Sequence, residues 1–69
     1  MKLKFNDKQL ELLNQIGFSF DVQKDLSDDE YFEIDQKVSD YMMMNGFEKD
    51  EPNQIGLLCE SILDILSEQ

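Results

Sequence analysis

Residues 27–46 read SDDEYFEIDQKVSDYMMMNG, and this segment carries the clearest local signal in the chain. Ser27 suits a helix N-cap, and Glu30 stands at the third helical position, where its carboxylate can accept a hydrogen bond from the N-cap backbone. The acids that open the segment lie where the helix dipole favours negative charge. Gly46 is a residue type that commonly ends helices. The segment therefore predicts a helix that begins after Ser27 and ends at Gly46.

This predicted helix has an apolar face and an acidic face. Helical spacing places five apolar side chains on one side: Tyr31, Ile34, Val38, Tyr41 and Met42. The same spacing places Asp29, Glu33 and Asp40 on the opposite side. An apolar face of this width has to be buried against other elements, so the segment predicts that further helices pack on it.

Two more amphipathic helices are predicted on either side of it. Residues 7–16 have helical apolar spacing, with Asn6 and Gln9 placed as a capping box. The last helix is predicted to carry Pro52 in its first turn. Its apolar face contains Ile55, Leu58, Cys59, Ile62, Leu63 and Leu66. Three amphipathic helices joined by short loops predict an all-α fold, a three-helix bundle that forms one domain over residues 1–69.

Two short segments alternate apolar and polar residues as strands do. They are residues 2–5 and residues 18–22. A minimal two-stranded pairing of these segments is therefore one prediction. The favoured alternative is that Phe18 and Phe20 are loop anchors that close a helical core, because isolated two-stranded pairs are only marginally stable.

A glycine followed by a phenylalanine comes after each of the first two helices. The pairs are Gly17 with Phe18 and Gly46 with Phe47. A glycine at this position can adopt the left-handed conformation, and the apolar residue after it can fold back on the last helical turn. Both phenylalanines are therefore predicted to pack rather than to function.

Composition excludes several kinds of chemistry. The chain has 16 acidic residues against 6 lysines, no His and no Arg, and a formal charge of −10. That charge repels nucleic-acid phosphate and anionic lipid, so neither is predicted as a direct partner. The single cysteine, Cys59, allows no intramolecular disulfide and no Cys/His zinc set. The sequence predicts a cytoplasmic, non-enzymatic protein without a metal or other cofactor.

The acids are concentrated in residues 21–40, where eight of them accompany only Lys24 and Lys37. One interpretation is an electronegative patch that attracts a basic protein or imitates the phosphates of DNA. The other is a solvated helix face with favourable N-terminal acids and a Glu33–Lys37 pair. The sequence leaves both interpretations open, although −10 exceeds what solubility requires of a small domain.

Some large apolar residues fall outside the predicted core faces. They are Phe32, Met43, Met44 and Leu57. Exposed apolar groups among acids are typical of a protein-binding surface or of a homodimer seam. The alternative is that the predicted helical phases are slightly off and that these residues fill the edges of a small core.

Three segments carry a resemblance that covers most of the chain. Residues 12–20 read LLNQIGFSF, residues 24–30 read KDLSDDE, and residues 56–64 read GLLCESILD. In this order they resemble small acidic proteins of Gram-positive bacteria and their phages or mobile elements. The resemblance carries no catalytic motif and implies an accessory protein.

The predicted function is docking on a larger protein with a basic surface. Asp29, Glu33 and Asp40 would attract that partner. The apolar anchors would be Phe32, Met43 and Leu57. The alternative is a DNA mimic that occupies the basic cleft of a nucleic-acid-binding protein. A homodimer is compatible with the same surface.

Overall fold

The computed structural model describes residues 2–68 as three helices and one two-stranded hairpin. In chain order the elements are α1 (Asp7–Ile16), α2 (Asp28–Asn45), β1 (Phe47–Glu48), β2 (Glu51–Pro52) and α3 (Gln54–Ser67). The prediction of three helices is confirmed. The bounds of α1 are those predicted, and α2 begins after Ser27 and has Gly46 as its C-cap.

Side-chain caps explain where the first two helices begin. The Asn6 side chain accepts a hydrogen bond from the Gln9 backbone N–H at 2.8 Å, and the Gln9 side chain accepts one from the Asn6 N–H at 2.8 Å. Ser27 and Glu30 form the same reciprocal pair at the start of α2. Both predicted capping boxes are confirmed, so the short-range sequence pattern is sufficient to locate these two helix starts.

The start of α3 differs from the prediction. Asn53 is the N-cap, and its side-chain oxygen accepts a hydrogen bond from the Gly56 N–H at 2.9 Å. Pro52 lies outside the helix and pairs with Phe47 in the antiparallel hairpin. An edge strand tolerates proline because the missing N–H is not needed for pairing. The prediction that Pro52 belongs to the first turn of α3 is therefore wrong.

The two-stranded pairing forms at a different place from the one predicted. Residues 18–22 form no strand, and Lys2 makes an isolated antiparallel bridge to Asp25 instead. Phe18 and Phe20 are half-buried loop residues that pack against the core, which confirms the alternative prediction. The hairpin connects α2 to α3, and its turn residues Lys49 and Asp50 have φ of 52° and 67°. Two consecutive positive φ values are typical of a tight two-residue hairpin turn.

Gly46 ends α2 for a different reason from the predicted one. Its φ is −92°, which any residue can adopt, whereas Gly17 has a φ of +88°. A Cβ on Gly46 would lie 2.5 Å from the Met42 carbonyl oxygen and 2.9 Å from the Gly56 Cα, and a Cβ on Gly56 would overlap the Gly46 carbonyl oxygen. The two glycines therefore allow the backbones of α2 and α3 to touch.

The same geometry explains why Phe47 does not pack on α2. Without a left-handed Gly46 the chain does not fold back on the helix but continues into β1. Phe47 is consequently 48 % exposed. The prediction that it packs against the last turn of α2 is wrong, while Phe18, after the left-handed Gly17, does pack against the core.

The core lies mainly between α2 and α3, which run antiparallel and make the most extensive interhelical contact. At one end Gly46 touches Gly56, and at the other the Tyr31 hydroxyl donates to the Leu66 carbonyl. The buried apolar side chains are Leu3, Leu12, Leu13, Leu26, Ile34, Val38, Cys59, Ile62 and Leu66. Helix α1 is joined to α3 by the buried Gln9, whose side-chain amide donates to the Ser61 hydroxyl at 2.9 Å.

Ile62 lies at the centre of the α3 apolar face and is fully buried. We expect Ile62→Ala to lower the free energy of unfolding by about 2–5 kcal/mol through lost burial and a residual cavity. Chemical denaturation monitored by circular dichroism measures this loss. Glu60→Ala, at an exposed position on the same helix, is the control. A loss for Ile62→Ala no larger than that of the control would contradict the described packing.

Replacing Gly56 by alanine would change the stability of the fold in two opposite ways. In an exposed helix Gly→Ala raises stability by about 0.5–1 kcal/mol. At Gly56 the added methyl group would overlap the Gly46 carbonyl, so we expect a net destabilisation of about 1–3 kcal/mol. The same denaturation experiment measures the sign. A stabilised Gly56→Ala variant would mean that the α2 and α3 backbones are further apart than described.

Candidate functional site

The first component of the candidate site is an acidic face on α2, formed by Asp29, Glu33 and Asp40. The Ser27 cap fixes where α2 begins. Because Ile34 and Val38 are buried, the opposite side of α2 faces solvent. Asp29 and Asp40 are exposed and Glu33 is half-buried. The predicted separation of an apolar and an acidic face on α2 is therefore present.

Both lysines of the acid-rich segment bind within the chain. The Lys24 ammonium lies 2.7 Å from a Glu30 carboxylate oxygen. The Lys37 ammonium lies 3.7 Å from Glu33 and donates a hydrogen bond to the Gly17 carbonyl at 3.0 Å. Within residues 2–68, neither Asp29 nor Asp40 forms a salt bridge. The two lysines of this segment therefore pair with Glu30 and Glu33, while Asp29 and Asp40 make no salt bridge in the described part of the chain.

The lysines also hold the loop after α1 against α2. Lys24 lies over the Phe20 ring at 5.8 Å from its centroid, and Lys37 lies over the Phe18 ring at 5.1 Å. The two rings contact each other at a centroid distance of 5.6 Å. Cation–π contacts of this kind add modest attraction at exposed positions. Lys37 therefore has a structural function besides its pairing with Glu33.

The second component is a set of exposed apolar side chains. The exposed fraction is 66 % for Phe32, 74 % for Met43, 83 % for Met44 and 55 % for Leu57. These values contradict the alternative that shifted helical phases place these residues at the core edge. The prediction that they face solvent is confirmed. Phe47 belongs to the same exposed set. The sequence pattern does not predict its exposure, because a left-handed Gly46 would fold Phe47 back on α2, whereas Gly46 has a φ of −92°.

The six predicted site residues do not converge on one spot. Phe32 adjoins Tyr31, whose hydroxyl binds the Leu66 carbonyl near the end of α3. Met43 is eleven residues further along α2, which is about 16 Å at the rise of a helix. Leu57 lies in the first turns of α3 and lines a shallow groove with Lys8 of α1. The apolar anchors therefore lie apart from one another, two on α2 and one on α3, rather than in one cluster.

The one thiol of the chain is chemically protected. Cys59 is fully buried in the α3 face of the core, and this burial raises the pKa of its thiol. A raised pKa reduces the thiolate fraction, which is the reactive form of cysteine. Cys59 therefore acts as a small core residue.

Two general features complete the description of residues 2–68. No group of three or more His, Cys, Asp or Glu side chains within this range is arranged to hold a metal ion. No helix in the same part of the chain is long and apolar enough to cross a lipid bilayer.

No protein-family model matches the chain, and comparison with curated proteins and with solved structures found no significant match. The resemblance to small acidic bacterial and phage proteins therefore stays a prediction.

The Lys24–Glu30 pair makes a pH prediction possible. The Lys24 ammonium, followed by the Ser27 backbone N–H, holds the pKa of Glu30 below its ordinary value of 4.5. A carboxyl group with a lowered folded-state pKa stabilises the fold above its ordinary pKa, and this contribution disappears as the pH falls through the folded-state pKa. Glu30→Gln keeps an acceptor for Ser27 but removes the charge.

We therefore expect Glu30→Gln to be less stable than wild type near neutral pH. The difference in the free energy of unfolding should shrink as the pH falls below 4.5. Urea denaturation of both proteins over a pH series measures this difference. Because both proteins contain the other acids, the repulsion among those acids largely cancels in the comparison. A difference that stays constant into strong acid would show that the Lys24–Glu30 attraction is not its cause.

Proposed function

We propose that this chain is a three-helix bundle that acts in the cytoplasm as a non-enzymatic interaction domain. It docks on a larger protein that has a basic surface. The acidic face of Asp29, Glu33 and Asp40 attracts the partner, and exposed apolar side chains anchor it. The anchors are Phe32, Met43 and Leu57.

The observation that carries this proposal is the combination of free carboxylates with exposed apolar side chains. Asp29 and Asp40 are exposed and make no salt bridge within residues 2–68, while Phe32 is 66 % exposed on the same helix. The stability of the fold does not require a phenylalanine or methionine side chain that is exposed to water. Apolar residues of this size, desolvated by a partner, contribute much of the affinity of protein interfaces.

Charge determines which class of partner the surface favours. At −10 the chain raises the local concentration of cationic groups and speeds their diffusional encounter. It repels nucleic acids and anionic lipid surfaces for the same reason. For a basic protein, electrostatic attraction and the burial of apolar side chains would both favour binding. The buried, protonated Cys59 thiol is compatible with a reducing cytoplasm.

The charge-reversal triple variant Asp29→Lys, Glu33→Lys, Asp40→Lys tests the acidic face. A matched control is the triple variant Glu60→Lys, Asp64→Lys, Glu68→Lys, which makes the same change in net charge at two exposed positions of α3 and at its exposed C-cap. Partners captured from a lysate of the source cells by wild type are identified by mass spectrometry. Association and dissociation rates are then measured with the purified partner.

We expect the α2 triple variant to associate at least about tenfold more slowly than the α3 control at low salt, with a smaller change in dissociation. The gap should narrow at high salt, where screening acts on exposed charges. Equal association rates for the two variants, with circular dichroism showing intact folds, would refute the acidic face. Competition by duplex DNA for the captured partner would favour the DNA-mimic alternative over an ordinary adaptor.

A further inference from the structure

An Asn-Gly pair, Asn45 with Gly46, stands where α2 ends, and Asn45 is the only asparagine of the chain that glycine follows. In an Asn-Gly sequence the glycine backbone nitrogen can attack the side-chain amide carbon of the asparagine, because glycine has no Cβ that obstructs the approach. The Asn45 side chain is exposed, so water reaches it. The pair therefore has the chemistry of a spontaneous deamidation site.

Deamidation proceeds in two steps, and water is the only co-reactant. In the first step the Gly46 nitrogen forms a bond to the Asn45 Cγ and gives up its proton. The bond from Cγ to the side-chain nitrogen breaks, ammonia leaves, and a five-membered succinimide remains. In the second step water opens the ring at one of its two carbonyl carbons. The product is aspartate with a normal backbone or isoaspartate, in which the chain continues through Cγ.

The folded chain holds both reacting groups away from this reaction. The Gly46 N–H donates a hydrogen bond to the Met42 carbonyl at 2.7 Å, and the Asn45 side-chain amide donates to the Tyr41 carbonyl at 3.4 Å. Asn45 is also the last residue of α2, and closing the succinimide ring rotates its Cα–C bond away from the helical setting. The last turn of α2 must therefore open before the reaction can begin.

Asn53 ties this last turn to α3. Its side-chain amide donates to the Asn45 carbonyl at 2.9 Å, and its backbone N–H donates to the Gly46 carbonyl at 2.8 Å. Its side-chain oxygen accepts from the Gly56 N–H, and Gly56 is in backbone contact with Gly46. These four residues are called here the α2–α3 junction. Helix ends commonly open at low cost, but opening this one also breaks bonds to another helix.

We infer that Asn45 is a modification site controlled by the α2–α3 junction, which loses its amide to water only while the junction is open. Isoaspartate adds a methylene group to the backbone between positions 45 and 46, so it displaces Gly46 from Gly56. The modified chain then fails to restore the close contact of the two helices. The reaction therefore converts a transient opening into a permanent loss of stability. This inference is independent of the proposed docking function.

The first test compares the folded and the unfolded chain. The full chain is kept in mildly alkaline buffer with and without denaturing urea, and deamidation at Asn45 is followed by peptide mass spectrometry. A synthetic peptide of residues 41–50 in the same two buffers corrects for the effect of urea on the reaction itself. Because the reaction is slow, its rate follows the population of the open form. We expect the folded chain to react at least about tenfold more slowly than the unfolded chain. Equal corrected rates would overturn the inference.

Two variants distinguish opening of the junction from unfolding of the whole chain. Asn53→Asp keeps the acceptor that caps α3 but removes the donor to the Asn45 carbonyl. Ile62→Val weakens the core without touching the junction. With both folds verified by circular dichroism, we expect Asn53→Asp to deamidate at Asn45 at least about threefold faster than Ile62→Val. Rates that follow only the global stability of the two variants, measured by urea denaturation, would contradict control by the junction.

The product provides a separate test of the permanent loss of stability. The isoaspartate form is separated by chromatography and compared with Asn45→Asp, which carries the same new charge on a normal backbone. We expect the melting temperature of the isoaspartate form to be lower by at least about 4 °C, because only this form displaces Gly46. Equal melting temperatures would show that the added methylene group leaves the helix contact intact, and this part of the inference would fail.

Discussion

Gly46 and Gly56 touch backbone to backbone where α2 ends and α3 begins, and the arrangement of the rest of the chain depends on this contact. Because neither residue has a side chain, the two helices approach closely enough to enclose Ile34, Val38 and Ile62 between them. The hairpin of residues 47–52 is the short connection that this approach permits, and Asn53 joins the hairpin to both helices. Met43 and Met44 are exposed because of their phase on α2, whereas Phe47 is exposed because the chain continues from Gly46 into β1.

Charge is distributed in this molecule in two distinct ways. Lys24 and Lys37 bind acids of α2 and hold the Phe18–Phe20 loop, so they act within the structure. The carboxylates of Asp29 and Asp40 remain exposed on the outer side of α2. Exposed ion pairs contribute little to stability, and unpaired acids of one sign oppose compaction. An acidic face of this kind therefore does not hold the fold together.

Local sequence patterns were sufficient where short-range contacts control the structure. The capping boxes at Asn6 and Ser27 predicted two helix starts, because donor and acceptor lie three residues apart. Helical periodicity predicted which side chains of α2 and α3 are buried, and it also predicted the exposure of Phe32, Met43 and Leu57. Residues 18–22 show the limit of such patterns, since their alternation fits a strand and the structure uses them as a loop against the core.

The sequence by itself determined three helices, the phase of each helix and an excess of negative charge, since these follow from capping, periodicity and composition. Only the folded arrangement decided the role of Gly46, the hairpin at residues 47–52 and the exposure of Phe47. A glycine between a helix and a phenylalanine fits either a left-handed cap or a close helix contact. The choice depends on Gly56, ten residues away, and on the space that α2 and α3 leave between them. Such a contact between distant residues leaves no periodic signal in the chain.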